Sequence, residues 1–158
     1  MQRVPMTPEG HAQLAKDLKY HKEYLRMKIV QDIEEARAHG DISENSEFED
    51  AKHRQALCEG RIRDLEGKLA ACEVIDVTKI QATDRVIFGV TVEIEDIDSD
   101  EEMRFKIVGT DEADVKAGRI SVTSPLGRAL VGRESGDEVK VQTPNGIRNL
   151  VINDVHYI

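Results

Sequence analysis

Residues 48–72 read FEDAKHRQALCEGRIRDLEGKLAAC, and their apolar positions recur at alternating steps of three and four. The positions of this seam are Phe48, Ala51, Gln55, Cys58, Ile62, Leu65, Leu69 and Cys72. Only Gln55 is polar, so the pattern predicts a helix with a narrow apolar face that packs against one partner helix. Gly60 and Gly67 fall outside the seam, and each is expected to cost ~1 kcal/mol relative to Ala.

The partner helix is predicted to precede this segment. Thr7, Pro8 and Glu9 form a helix start, since the hydroxyl can cap free N–H groups and proline needs no donor at the first position. The apolar residues that follow at helical spacing are Leu14, Leu18, Leu25, Ile29, Ile33 and Ala36. The helix should end at Gly40. Because each narrow stripe can be buried only against the other, residues 1–76 are predicted to form an antiparallel coiled-coil hairpin.

After about residue 76 the apolar period changes from seven to two, which indicates strands. The alternating sets are Val90, Val92 and Ile94; Met103, Phe105 and Ile107; Ile120 and Val122; Val139 and Val141; and Val151 and Val155. The turn Pro144-Asn145-Gly146 predicts that the strand near Val139 folds back onto the last strand. We therefore expect an α+β chain with a linker at 77–83 and a small β-rich domain at 84–158.

The composition excludes several classes of protein. Lys and Arg number 22 against 31 Asp and Glu, a formal net charge of −9, which disfavours a free-standing binder of phosphate backbones. Aromatic residues are 4% of the chain and Trp is absent, so a ring-lined ligand pocket is not indicated. No apolar run is long enough for a membrane span or a signal peptide, and a cytoplasmic location is expected.

The two cysteines and the histidines predict no metal site of their own. Cys58 and Cys72 lie about 21 Å apart on one helix at ~1.5 Å per residue, too far for a disulfide. No Cys-x-x-Cys pair exists, and the histidines show no ligand spacing. Asp96, Asp98 and Asp100 imitate a calcium loop, but the required Gly and Glu are missing, which favours a solvated hairpin loop.

The connection between the two predicted helices is acidic, with five acids and no base in residues 41–50. Acids at the start of a helix are favoured by the helix dipole, and an exposed turn is commonly polar. The acidic composition alone therefore does not indicate a function, which needs a motif that is specific to one family.

Such a motif is present in the connection between the two predicted helices. The stretch GDISENSEF at 40–48 closely resembles the tip motif of the bacterial transcript-cleavage factors of the GreA/GreB family, and of its GreA branch in particular. The resemblance extends along almost the whole chain, through CEGRI at 58–62, VIFG at 86–89, IVG at 107–109, ISV at 120–122, SPLGRAL at 124–130, GD at 136–137 and TP at 143–144.

The resemblance implies a transcription elongation factor that binds backtracked RNA polymerase, with an FKBP-like C-terminal domain docked outside. The hairpin would enter the secondary channel, where the polymerase cuts the nascent RNA 3′ end. Asp41 and Glu44 would act on the catalytic magnesium and the attacking water. The protein would then be no enzyme itself, would carry no cofactor of its own, and would share Mg²⁺ with the polymerase active site. We expect a monomer with no membrane partner.

Further site residues follow by position in the motifs. Asn45, Ser46 and Phe48 would support the tip, although the family commonly has Tyr at position 48 and many relatives have Ala at position 46. A basic patch of Arg37, Lys52 and Arg54 would face RNA, and ordinary helix-surface charge is the alternative. The candidates for polymerase docking are Ser124, Pro125, Leu126, Gly127 and Arg128, whose alternative role is a packing turn.

Three other functions stay open from the sequence. A regulator of the same shape could bind the polymerase channel without promoting cleavage, although the intact acid pair argues against it. The β-rich domain could act as a prolyl isomerase or chaperone. A stand-alone magnesium nuclease would cut RNA without polymerase, but two carboxylates three positions apart make only part of a magnesium site.

Overall fold

The computed structural model describes residues 3–40 and 45–158. Contacts divide the chain into two compact units: His11–Ala71, which is helical, and Met1–Gly10 together with Cys72–Ile158, which holds the strands. The predicted α+β class, a helical hairpin followed by a β-rich unit, is confirmed. The domain bounds 1–76, 77–83 and 84–158 stay a prediction, because a division by contacts does not test which segments fold alone.

The helices follow most of the sequence signals, but the prediction that Cys72 lies in the second helix is wrong, since that helix ends at Ala71 and Cys72 begins a strand. The helices are α1 (Pro8–Lys19), a π-helical segment (Tyr20–Leu25), α2 (Arg26–Ala38) and α3 (Ser46–Ala71). The Thr7 hydroxyl accepts the Gly10 N–H at 3.1 Å and caps α1 as predicted. Gly40 has φ +110°, a conformation that favours glycine, directly after α2 ends. In the described residues, no helix has the length and apolar character needed to cross a membrane.

The two apolar seams pack against each other. Ile29 and Ile33 of α2 form a buried cluster with Ala51, Cys58 and Ile62 of α3. The ion pairs between the helices show their direction: Asp17–Arg61 at 2.9 Å, Arg26–Glu59 at 2.7 Å and Asp32–Arg54 at 3.0 Å. Residue numbers rise along one helix as they fall along the other, so the predicted antiparallel hairpin is confirmed.

The π-helical segment was not predicted. The apolar stripe of the first helix has no member between Leu18 and Leu25, and the π-helical segment lies in this interval. Both leucines pack against the buried cluster of the hairpin. The His21 carbonyl accepts both the Arg26 N–H and the Cys58 thiol, the latter at 3.7 Å. Burial raises the pKa of the Cys58 thiol, and neither Cys58 nor Cys72 is in a disulfide.

In the β-rich unit, the described residues form two sheets. The smaller pairs β1 (Val4–Met6) with β2 (Cys72–Val74) in parallel. The larger has the strand order β5-β4-β3-β7-β6, built from β3 (Thr91–Asp96), β4 (Glu102–Val108), β5 (Arg119–Ser121), β6 (Glu138–Thr143) and β7 (Gly146–His156). A short helix, α4 (Pro125–Leu130), follows β5, and 3-10 turns lie at Val77–Lys79, Thr110–Glu112 and Val115–Ala117.

The predicted alternation holds in most strands but not in the last. Val92 and Ile94 are buried, as are Val139 and Val141, and the turn at 144–146 joins β6 to β7 as predicted. In β7, however, Leu150 and Ile152 are buried, so the prediction that Val151 and Val155 share the inward face is wrong. The pairings Glu93↔Asp154 and Ile94↔Ile152 leave one extra residue in β7, a bulge that reverses the alternation beyond it.

The acidic segment after β3 forms the hairpin loop between β3 and β4. The sequence favoured such a loop over a calcium-binding loop. Asp96 is buried, and its Oδ1 accepts the N–H groups of Asp98 and Ser99 at 2.9 and 3.2 Å. Its Oδ2 accepts Arg148 Nε at 2.9 Å. The hydrogen bond from Arg148, with those from the loop N–H groups, lowers the pKa of Asp96.

We expect Gly67→Ala to stabilise the hairpin by about 1 kcal/mol. Gly67 is an exposed position inside α3, and its added Cβ would meet no atom within 4 Å. Gly127→Ala is the matched opposite, because its Cβ would lie 2.2 Å from the Ser121 carbonyl oxygen, and it should cost about 1–3 kcal/mol. Thermal unfolding followed by circular dichroism measures both, and a destabilised Gly67→Ala would contradict the packing described.

The stability of the β-rich unit should depend on Asp96 at acid pH. Because folding lowers the pKa of Asp96, its contribution is present above the ordinary pKa of about 3.9 and is lost as the pH falls through the lower folded value. Asp96→Asn should lower the melting temperature at pH 7, and its difference from the parent should shrink as the pH approaches 2. The control is Asp100→Asn, which removes an exposed acid of the same loop.

Candidate functional site

Asn45, the first described residue after position 40, contacts the ends of both α2 and α3. Its Oδ1 accepts the Phe48 N–H at 3.1 Å, which caps the N-terminus of α3. Its Nδ2 donates to the Ala36 carbonyl at 2.6 Å, one of the carbonyls that α2 leaves free at its C-terminus. One amide side chain therefore satisfies a backbone group of each helix and fixes the distance between them.

Phe48 packs on the hairpin seam beneath a cation. Its ring is half-buried against the cluster of α2 and α3, and Arg37 Cζ lies 5.9 Å from the ring centroid. This contact needs an aromatic face and no hydroxyl, so Phe is adequate where the family commonly has Tyr. Ser46, the first residue of α3, is exposed. The tip-support role of all three residues stays a prediction, which the contacts of Asn45 and Phe48 support.

The predicted basic residues Arg54 and Lys52 differ in their contacts, and Arg37 is the one that lies over the Phe48 ring. Arg54 bonds to Asp32 at 3.0 Å and to Asp50 at 3.1 Å, and these bonds raise its pKa. Lys52 is exposed, and its Nζ donates to Gln55 at 3.1 Å. Positions two apart on a helix do not face the same way, so Lys52 and Arg54 do not form one continuous patch. Their RNA-facing role stays a prediction, with Arg54 engaged between the helices.

Asp41 and Glu44 lie outside the described residues. The described acids beside them, Glu47, Glu49 and Asp50, are exposed in the first turns of α3, where the helix dipole favours negative charge. His39 Nδ1 lies 3.5 Å from Glu47 Oε2, and both side chains are mostly exposed. The described end of the hairpin is thus an exposed, negatively charged surface.

The β-rich unit carries an apolar groove of about 390 Å³ that the sequence did not predict. Its walls include Phe105, Ile120, Val141 and Leu150 from four strands of the larger sheet. Strand alternation places these side chains on one face, but which edges of that face stay uncovered depends on the tertiary fold. Phe105 is the one aromatic residue of the lining, so the prediction against a ring-lined pocket agrees with the groove.

The five predicted docking residues have different surroundings. Ser124, Pro125 and Leu126 line the groove. The Ser124 hydroxyl donates to the Ser121 carbonyl at 2.6 Å and accepts the Gly127 N–H at 3.1 Å, which caps α4. Gly127 is buried against the backbone of Ser121 and has a packing role, whereas Arg128 is exposed and does not line the groove.

Comparison with known proteins identifies the class. A family model described as "Transcription elongation factor, N-terminal" matches residues 4–74, and one described as "Transcription elongation factor, GreA/GreB, C-term" matches residues 81–157. The chain is 52% identical to the transcription elongation factor GreA of Psychrobacter cryohalolentis, and 52% identical to that of Hyphomonas neptunium, each over 99% of both chains.

Among solved structures, the chain is similar to the GreA factor homolog 1 (Gfh1) protein of Thermus thermophilus. The identity is 29%, the TM-score is 0.44, and the match covers 98% of this chain and 99% of that one.

An acidic helical hairpin and a β-rich unit, each matched by its own family model, define a transcription elongation factor. The chain belongs to the GreA/GreB family. The resemblance stated from the tip motif and from the later motifs is confirmed at the level of the family.

The two hydrogen bonds of Asn45, to Ala36 and to Phe48, form a joint between α2 and α3. Removing one or both of them should lower the stability of the hairpin by different amounts. Asn45→Ser keeps a capping oxygen but removes the donor to Ala36, whereas Asn45→Ala removes both. We expect Asn45→Ala to cost about 1–2 kcal/mol of hairpin stability and Asn45→Ser about half as much. Thermal unfolding and amide hydrogen exchange at Phe48 measure the change. Ser46→Ala, an exposed neighbour, is the control, and equal stability of all four proteins would contradict the joint.

Proposed function

We propose that the protein binds RNA polymerase stalled in a backtracked state and stimulates the polymerase's own Mg²⁺-dependent cleavage of the nascent RNA 3′ end. Membership of the GreA/GreB family supports action in transcription elongation. The observation that carries the finer proposal is the hairpin end, where Asn45 fixes α2 against α3 beside an exposed acidic surface. The nuclease activity belongs to the polymerase.

The sequence position of the acid pair supports its role. Only residues 41–44 separate Gly40, which follows α2, from Asn45, which caps α3. Because these four positions include Asp41 and Glu44, the proposal is that both acids act at the polymerase active site, which the hairpin would enter through the secondary channel. A short carboxylate beside a packed helix end loses little freedom on docking, which favours accurate placement.

The donor chemistry of the pair fits magnesium in part. Carboxylate oxygens suit Mg²⁺, which takes six oxygen ligands in near-octahedral order and retains several waters. Asp41 and Glu44 would supply two of these ligands, or hold a water molecule, and the polymerase would supply the others. Bound in this way, the ion supplies charge stabilisation and an activated water for phosphodiester hydrolysis. The pair alone makes an incomplete site, so Asp41 and Glu44 are expected to bind magnesium only together with the polymerase.

The apolar groove is proposed as the surface that docks on the polymerase. Ser124, Pro125 and Leu126 contribute to its rim, and they belong to the motif that the sequence shares with the family. Gly127 packs against the backbone of Ser121, and it remains a docking candidate with Arg128 on the strength of the shared motif. Because the groove belongs to the β-rich unit, docking affinity and cleavage should be separable by mutation.

The test uses stalled elongation complexes with RNA followed on a gel. Asp41→Asn combined with Glu44→Gln should retain polymerase binding and reduce stimulated cleavage to the unstimulated background. The matched control is Glu34→Gln with Glu35→Gln, which removes the same charge from exposed positions of α2 and should cleave like the parent. Full cleavage by the tip double variant would refute the role of the acid pair.

The same assay separates the alternatives. Polymerase binding by the parent protein without any cleavage would make it a channel-binding regulator. RNA cutting without polymerase would make it a magnesium nuclease. Catalysis in a proline-peptide isomerisation assay would assign the groove to peptide substrates instead.

A further inference from the structure

Three side chains with metal-binding atoms meet on one face of strands β3 and β7. Glu93, Asp154 and His156 each offer one ligand atom, and these atoms all lie within 4.8 Å of one another. His156 Nε2 is 3.5 Å from Glu93 Oε1 and 3.5 Å from Asp154 Oδ2. The face is the outer one, because the neighbours of Glu93 along β3, Val92 and Ile94, are buried in the core.

The bulge in β7 brings these residues together. Asp154 pairs with Glu93 while Ile152 pairs with Ile94, so Asn153 is the extra residue. Without it, Asp154 would lie on the same face as the buried Ile152. Bulges commonly redirect side chains next to functional sites, and this one turns both Asp154 and His156 onto the face of Glu93.

The imidazole nitrogen at the centre of the group lacks a hydrogen bond. His156 Nε2 is buried and has no hydrogen-bond partner among the described residues, although two carboxylate oxygens lie 3.5 Å away. A buried polar nitrogen without a partner costs desolvation free energy, so something is expected to satisfy it.

The spacing and the ligand types select the ion. Ligands at 2.0–2.2 Å from tetrahedral zinc are roughly 3.3–3.5 Å from one another, close to the distances observed. One imidazole with two carboxylates suits Zn²⁺ and similar transition metals, whereas Mg²⁺ and Ca²⁺ prefer oxygen alone. We infer that Glu93, Asp154 and His156 form a site for a divalent transition metal of the zinc class, with a fourth position open to water.

The surroundings set the strength of the site. The side chains of Glu93 and Asp154 are 41% and 56% exposed, so an ion can reach their carboxylates from solvent, whereas His156 Nε2 itself is buried. Arg104 on β4 places Nη1 3.8 Å from Glu93 Oε1, and its positive charge opposes a bound cation. Binding is therefore expected to be reversible, and removing Arg104 should strengthen it.

The test is calorimetric titration of the metal-free full chain, without a histidine tag, with zinc chloride. We expect one zinc ion bound, with affinity lowered at least about tenfold by His156→Gln and by Asp154→Asn. Arg104→Gln should bind zinc severalfold more tightly. The control is Glu102→Gln, which removes an exposed carboxylate of β4 near the site and should bind zinc like the parent.

Two further measurements exclude misfolding as the cause. The metal-free variants should match the parent in far-UV circular dichroism and melting temperature, and zinc should raise the melting temperature of the parent more than that of His156→Gln. Zinc binding of equal affinity in all variants, binding lost in only one of the two ligand variants, or no binding by the parent would each overturn the site. None of these outcomes bears on RNA cleavage, so the two proposals fail separately.

Discussion

The burial of two narrow apolar seams against each other is the constraint on which the helical unit depends. Each seam is too narrow to cover more than one neighbour, so the helices must run side by side over their length. The ion pairs Arg26–Glu59 and Asp17–Arg61 flank the buried cluster and fit only the antiparallel arrangement. Since these pairs are partly exposed, they contribute more to alignment than to stability. The connection between the helices is then necessarily short and polar.

The sequence predicted those parts of the fold that local rules determine. The cap at Thr7, the glycine at position 40 and the turn before β7 each depend on a few adjacent residues, and all three are confirmed. The π-helical segment left no signal in the apolar periodicity, because Leu18 and Leu25, seven positions apart, also share one face of a regular α-helix. The bulge in β7 likewise arises from pairing with β3, a strand distant in the sequence.

The candidate site was likewise predictable from the sequence only in part. The acid pair and its neighbours were identified by a motif, and the motif did not reveal that Asn45 bonds to both helices or that Arg54 is held by two carboxylates. Both facts depend on contacts between α2 and α3. The group of Glu93, Asp154 and His156 gave no spacing signal, because its members come from two strands and become neighbours only through the bulge.

A rigid helical hairpin suits a metal site that two carboxylates complete only in part. Asp and Glu have ordinary pKa values near 4 in water, so a carboxylate needs no special environment to serve as a metal ligand at pH 7. Two carboxylates cannot satisfy six-coordinate magnesium, and an incomplete set binds too weakly to retain the ion in free solution. If their positions are fixed by a packed hairpin, little conformational entropy is lost when a partner supplies the remaining ligands. The hydrogen bonds of Asn45 to Ala36 and Phe48 hold the ends of α2 and α3 together, and such a fixed geometry is what the proposed site would need from the hairpin.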